Sequence, residues 1–170
     1  FSILIDADLP STSGWAGLFT NRVTGRNGFL VANDISSATQ YQPHLVVTSG
    51  TSETQNLKGA NAFTAPIPFT HWGWTWDGAA ATCYVNALAQ TVSAGAGTGS
   101  GYGATSIIQV GAAYQTWGGS LRTVFIWDRV LSAYEFAWLR AEPYAMLQPV
   151  IRRRYFVPAV GDTLFAQAAM

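Results

Sequence analysis

Apolar and polar positions alternate with a period of two along most of the chain, which predicts strands joined by turns. FSILID reads as a first strand that ends at the turn signal LPSTSG. GWAGLFT and GFLVAND follow as two more, separated by TGRNG, where Asn27-Gly28 supplies the positive φ values of a tight hairpin. QPHLVVTSGT is a further strand with its own turn. TSETQNLKGANAFTAPIP is polar and irregular, and reads as a loop with one short edge strand.

The densest pattern is THWGWTWDG. Trp72, Trp74 and Trp76 fall on one face of this strand, and His71, Gly73 and Thr75 on the other. Asp77-Gly78 then turns the chain into AATCYVNALAQTV, a partner strand that carries Tyr84 and Val85. Three indoles at this spacing make either a core or a sugar-stacking platform. Large aromatics at period two are what a sandwich interior needs, so the core is favoured, with His71 and Thr75 left outward. SAGAGTGSGYGATS lacks both the spacing and the helix of a phosphate-binding loop and reads as a mobile loop. IIQVGA and, after the Gly118-Gly119 break, SLRTVFIWD are the last strands.

One stretch breaks the period. In WDRVLSAYEFAWL, Ser132 stands at an N-cap position with Glu135 three residues later, which is a capping box. Leu131 and Phe136 flank the cap as a hydrophobic staple, and Pro143 limits continuation. The spacing predicts a single short helix over about residues 132 to 141, laid over the end or edge of a sheet whose apolar side chains it covers.

At 170 residues the chain is long enough for one domain with its own core, and no internal repeat is visible. Charged residues make up 11% of it and the formal net charge is zero, against about 25% charged residues in an ordinary soluble domain. Such a surface has little to hold neighbours apart and is suited to assembly; nothing in it points to nucleic acid. The single Cys83 rules out an internal disulfide framework and reads as a small buried hydrophobe. No apolar run reaches the roughly 18 residues of a spanning helix, and no signal-peptide layout is present. Phe1 is not an initiator, so a preceding stretch is expected.

Catalytic groups are sparse. The glutamates are Glu53, in a polar loop, Glu135, in the helix cap, and Glu142, at the helix end; no E-x-D-x-E pattern exists. Asp6 and Asp8 share a strand face and read as a solvated edge, while His44 and His71 have no acidic neighbour in sequence and read as structural. No cluster with metal-ligand spacing occurs; Asp34, Asp77 and Asp128 meet only if the fold joins them. The chain is therefore expected to be no enzyme, with no catalytic residue, no metal and no cofactor.

GSLRTVFIWDRVLSAYEFAWL resembles the closing motif of laminin-G-like, concanavalin A-like jelly-roll domains, with Gly119, Leu121, Val124, Ile126, Trp127, Arg129, Leu131, Ser132 and Glu135 in its places. HWGWTWDGAAATCYVNA is similar to the same family's Thr-x-Asp-Gly to Tyr-Val-Asn hairpin, with Ala87 where a glycine usually ends it. The resemblance implies an all-β fold: a two-sheet antiparallel jelly-roll sandwich with one short C-terminal helix, over residues 1 to 147. Arg122 stands where the family often has Asp, which argues against calcium. Phe125 stands where it often has a charged residue, so that a partner is expected to cover this outer face.

The tail EPYAMLQPVIRRRYFVPA resembles the ending of such proteins in tailed bacteriophages. It implies an extended arm over residues 148 to 170, in which Arg152, Arg153, Arg154, Tyr155 and Phe156 bind a neighbouring subunit. The implied function is a non-enzymatic structural or adhesion module of a virion, a capsid decoration (cement) or fibre protein. It would be assembled in the bacterial cytoplasm, displayed on the virion surface, and packed against other virion subunits and itself as a homo-oligomer. No nucleic acid and no membrane enter this reading. The alternative is a lectin-like module for host-surface glycans, with Trp15 and Trp117 as stacking platforms.

Overall fold

The structure is a computed structural model and describes residues 1–9, 16–21, 28–37, 40–49, 52–93, 108–111 and 117–144. The first of two sheets comprises β1 (Ser2–Leu9), β7 (Ile67–Trp76), β8 (Ala81–Val85), β9 (Leu88–Gln90) and β12 (Leu121–Trp127), in the order β12-β1-β7-β8-β9. The second comprises β2 (Ala16–Thr20), β3 (Gly28–Ser37), β4 (Gln40–Ser49), β5 (Ser52–Gly59), β10 (Val92–Ser93) and β11 (Gln109–Val110), in the order β10-β5-β4-β3-β2-β11, with β6 (Phe63–Thr64) also paired to β4. Every pairing is antiparallel. Among the described residues one helix, α1 (Ala133–Ala141), follows β12. The expected all-β sandwich with one C-terminal helix is the architecture found.

The core lies between the sheets and follows from the alternation. Ile3, Ile5 and Ala7 of β1 and Trp72, Trp74 and Trp76 of β7 face Phe29, Val31, Leu45 and Val47 of the second sheet. The three indoles are 1%, 0% and 0% exposed, so they are core and not a sugar platform. Cys83 is buried among them, and burial pushes its thiol up, which leaves it an inert hydrophobe. Asp77 closes the β7–β8 turn: its Oδ1 accepts from the backbone N–H groups of Ala79 and Ala80 at 2.8 and 2.7 Å.

Helix α1 begins as its sequence specifies. Ser132 Oγ accepts from Glu135 N at 3.3 Å, and Glu135 Oε2 accepts from Ser132 N at 2.8 Å, the two halves of the capping box. A cap of this kind is worth about 1 kcal/mol. Leu131 and Phe136 are both buried, in one cluster with Leu4, Tyr84 and Leu139. Ser2 Oγ accepts from Leu131 N and donates to the Arg129 carbonyl, each at 2.8 Å, tying the helix entry to β1. The helix thus covers part of the outer face of the first sheet.

Thr75, expected outward, is 4% exposed, which corrects that expectation. Phe125, expected to meet a partner, is half-buried and packs against the Leu4, Leu131 and Phe136 cluster beside Trp127, with ring centroids 5.8 Å apart. A second correction concerns residues 52–59, which form strand β5 and not a loop. Leu57 enters the core opposite Leu45, and main-chain pairing with β4 holds the remainder, so the strand carries little alternation to read. IIQVGA in turn supplies only the two-residue β11. Asn27 and the glycine-rich stretch 94–107 lie outside the described residues.

Candidate functional site

Three surface features carry chemistry. The first is polar and sits on the outer face of the first sheet. Strand register places Asp6 opposite His71 on one side and Thr123 on the other. A β-bulge between Asp6 and Ala7 leaves Arg122 as the extra residue of β12. Simple alternation would send Arg122 inward with Val124; the bulge sends Leu121 toward the core instead and Arg122 outward. Asp6 Oδ1 then lies 3.7 Å from His71 Nε2, and Asp6 Oδ2 lies 3.8 Å from Arg122 Nη1. The Arg122 guanidinium carbon stands 3.4 Å from the centroid of the Phe69 ring, a cation–π contact. Burial is the main cause that lowers the His71 pKa, opposed by the Asp6 carboxylate and reinforced by Arg140 and Arg122. His71 is therefore neutral near pH 7.

The expectation of a solvated edge for Asp6 does not hold. The residue is 9% exposed on a strand paired on both sides, and it is the acidic partner that His71 lacks in sequence. The outward facing of both residues is legible in FSILID and THWGWTW. Their meeting is not, because it depends on β1 pairing with β7 across 65 positions (71 − 6).

The second feature is apolar. Edge strands β11 and β12 of the two sheets face one margin of the sandwich. Between them runs a cavity of about 560 Å³ whose lining includes Phe19, Phe29, Ile108, Ile126 and Trp127. Ile108 is 67% exposed, Val110 48%, Ile126 46% and Val130 47%. Ile108 and Ile126, exposed together at strands that are edges among the described residues, make the kind of surface that other chains cover.

The third is mixed. On the solvent side of α1, Tyr134 and Trp138 are exposed, one helical turn apart. Beside them a groove of about 110 Å³ is lined by Trp127, Arg129, Leu131, Glu135, Trp138 and Leu139. Arg129 Nη2 meets Glu135 Oε1 at 2.6 Å. The Arg129 guanidinium, together with the backbone and hydroxyl of Ser132, holds the Glu135 carboxyl down to about 2.

The remaining carboxylates of the turn and bulge are engaged in structure. The backbone N–H groups of Ala80 and Ala79 lower the Asp77 pKa, and Asp8 accepts from Ser120 N. Among the described residues no three His, Cys, Asp or Glu side chains are grouped to hold a metal ion, and no helix is long and apolar enough to cross a membrane.

Of the residues singled out from sequence, Trp117 is 5% exposed and belongs to the core. Its backbone N–H donates to the Gly111 carbonyl at 2.7 Å, which brings the chain back over the sandwich and turns the ring inward, so it offers no stacking face. Trp15 and the arm residues Arg152, Arg153, Arg154, Tyr155 and Phe156 lie outside the described residues. The exposed pair Tyr134 and Trp138 was not singled out; the signal was present in SAYEFAWL, where aromatics at i and i+4 fall on a different stripe from Phe136 and Leu139.

No curated protein matches this sequence. A family profile does, over residues 7–137, from β1 through the first turns of α1. That span takes in both sheets, the bulge and the capping box, and the chain therefore belongs to the laminin-G-type domains of the concanavalin A-like lectin/glucanases superfamily.

Proposed function

We propose that this domain is a non-catalytic structural and adhesion module of a bacteriophage virion, a capsid decoration or fibre protein that packs against neighbouring virion subunits and copies of itself. Its superfamily fold suits a carbohydrate-binding or structural module, and the finer reading rests on the surface. The observation that carries it is the margin at edge strands β11 and β12, where Ile108 and Ile126 line one cavity and stay 67% and 46% exposed in a chain with only 11% charged residues. Water is a poor neighbour for such a margin and an adjoining subunit a good one. The phage-like ending supports the same reading, with Arg152, Arg153 and Arg154 meeting carboxylates of the neighbour and Tyr155 and Phe156 adding buried area.

The state of two carboxyls supports a non-catalytic role. Glycoside hydrolysis needs a protonated carboxyl close to an ionised one, whereas Glu135 and Asp77, among the described residues, are both held below the ordinary carboxylate range.

The test is occupancy on assembled particles. The chain should co-purify with virions and be labelled by antibody on their surface, and Ile126→Asp should fold yet fail to incorporate. Absence of the chain from particles, or unchanged occupancy of the Ile126→Asp variant, would overturn the assembly reading.

A further inference from the structure

We propose that β12 is a self-association edge, through which two copies of this chain pair antiparallel about a two-fold axis at Phe125 and join their five-stranded sheets into one continuous sheet. The proposal deepens the assembly reading: it rests on the premise that copies of the chain pack together, and it names the surface through which they do.

The strands that end the two sheets differ in length. Strand β9 has three residues, and β10 and β11 have two each, so their edges are blunt. Strand β12 runs for seven residues without a proline and, among the described residues, pairs only with β1. Its other side therefore presents a row of N–H and C=O groups with no strand against them. Proteins that stay apart guard such an edge with short strands, charge or proline. Beyond the bulge at Arg122, β12 reads Thr-Val-Phe-Ile-Trp and carries no charge at all. None of its side chains is fully buried, although Val124 reaches the core and Phe125 packs under the helix.

Strand geometry restricts how two such edges meet. Side chains directly opposite each other in an antiparallel pair point to the same face. In β12, Thr123, Phe125 and Trp127 face outward, and Val124 and Ile126 face inward, so a two-fold register must centre on a residue. A centre at Val124 sets Arg122 against Ile126 of the second copy and drives the bulge into the seam. A centre at Phe125 uses the whole regular run 123–127 and stops short of the bulge. Val124 then stands opposite Ile126 of the second copy and Thr123 opposite Trp127, while Arg122 comes level with Asp128, each pair occurring twice. The Arg122 side chain is 57% exposed beside Asp6, and its guanidinium has donors left for a second carboxylate.

Apolar surface flanks the seam on both faces. Ile108 and Ile126 line the cavity on the inner side, and Trp127 and Trp138 line the groove on the outer side. These flanks carry the contact beyond its main-chain bonds, toward the roughly 800 Å² per partner of a stable interface. A strand of another protein would satisfy the main chain equally. A second copy is favoured because it matches this edge on both faces and in charge at both ends.

The test is sedimentation equilibrium of the purified full chain, with the register read by cross-linking. At micromolar concentration the chain should have twice the mass of one copy. Asp128→Lys, which sets like charges level at both ends of the seam, should weaken the dimer about tenfold. Opposed positions of an antiparallel pair stand within reach of a disulfide, and diagonal ones do not. A mixture of Val124→Cys and Ile126→Cys chains should therefore link on mild oxidation, whereas neither variant should link alone; Cys83 is buried and stays out of the exchange. A monomer at micromolar concentration would overturn the proposal. So would a dimer in which the mixture fails to link or either variant links alone, or one that Phe156→Ala abolishes, which would make the arm the occupant. A dimer with the expected link that is missing from particles supports this edge and overturns the assembly reading; a chain that is monomeric in solution yet occupies particles does the reverse.

Discussion

The ring of Phe136 lies against the backbone of Gly73: a Cβ added to that glycine would stand 2.6 Å from the ring's Cε1 atom. Phe136 is held there from the other side by Tyr84, stacked with ring centroids 4.3 Å apart. The glycine among the three tryptophans is therefore the seat of the helix. Gly73→Ala must displace the ring, and a loss of about 1–3 kcal/mol is expected, read as a lower urea midpoint at unchanged slope. In a Phe136→Leu background the same change should cost less. Equal costs in the two backgrounds would separate Gly73 from helix docking.

Trp74 is fully buried, between its strand neighbours Ile3 and Cys83. Trp74→Ala is expected to destabilise by about 3–5 kcal/mol, a large part of the roughly 5–15 kcal/mol that holds a domain together. Acrylamide quenching of single-tryptophan variants checks the premise: Trp72, Trp74 and Trp76 should be shielded and Trp138 accessible.

Much of the fold was legible because it is written locally. The period-two indoles, the Asp77 turn and the Ser132–Glu135 box each depend on residues within a few positions of one another, and each stands where its spacing puts it. Strand β5 was not legible, since its pairing with β4 is main-chain and Leu57 is the one large apolar residue in SETQNLKG. The surfaces were less legible still. Arg122 reaches Asp6 through a bulge, and His71 through a strand pairing, neither of which has a local signature. Trp117, a stacking platform in the lectin-like alternative, is 5% exposed, and its backbone N–H donates to the Gly111 carbonyl, a contact with no local signature.

The turn between β8 and β9 holds two residues with positive φ, Asn86 at 52° and Ala87 at 66°. Asparagine tolerates this region; alanine does not, and the family's usual residue at the second place is glycine. Ala87→Gly should remove a left-handed strain of about 1–2 kcal/mol, partly offset by the greater freedom of glycine in the unfolded chain. Because the Ala87 methyl also touches the helix-side cluster, the net gain is expected to be about 0.5–1 kcal/mol. A thermal midpoint that falls in Ala87→Gly would mean that the methyl contact outweighs the strain.

The cluster of Asp6, His71 and Arg122 makes stability depend on pH with a definite sign. Burial lowers the His71 pKa below its ordinary 6.5, with Arg140 and Arg122 acting in the same direction and Asp6 against them. Between the folded and unfolded values the unfolded chain binds the extra proton, so stability rises with pH there. The contribution is complete above about pH 6.5 and is lost as pH falls through the lowered folded value. Melting temperature should therefore fall on acidification below neutrality, before the carboxylates titrate. His71→Gln should flatten that part of the curve. Asp6→Asn removes the attraction that, among the described residues, favours the imidazolium, so the His71 titration followed by proton resonance should move to still lower pH. A midpoint that rises in Asp6→Asn would show that Asp6 and His71 do not interact across β1 and β7.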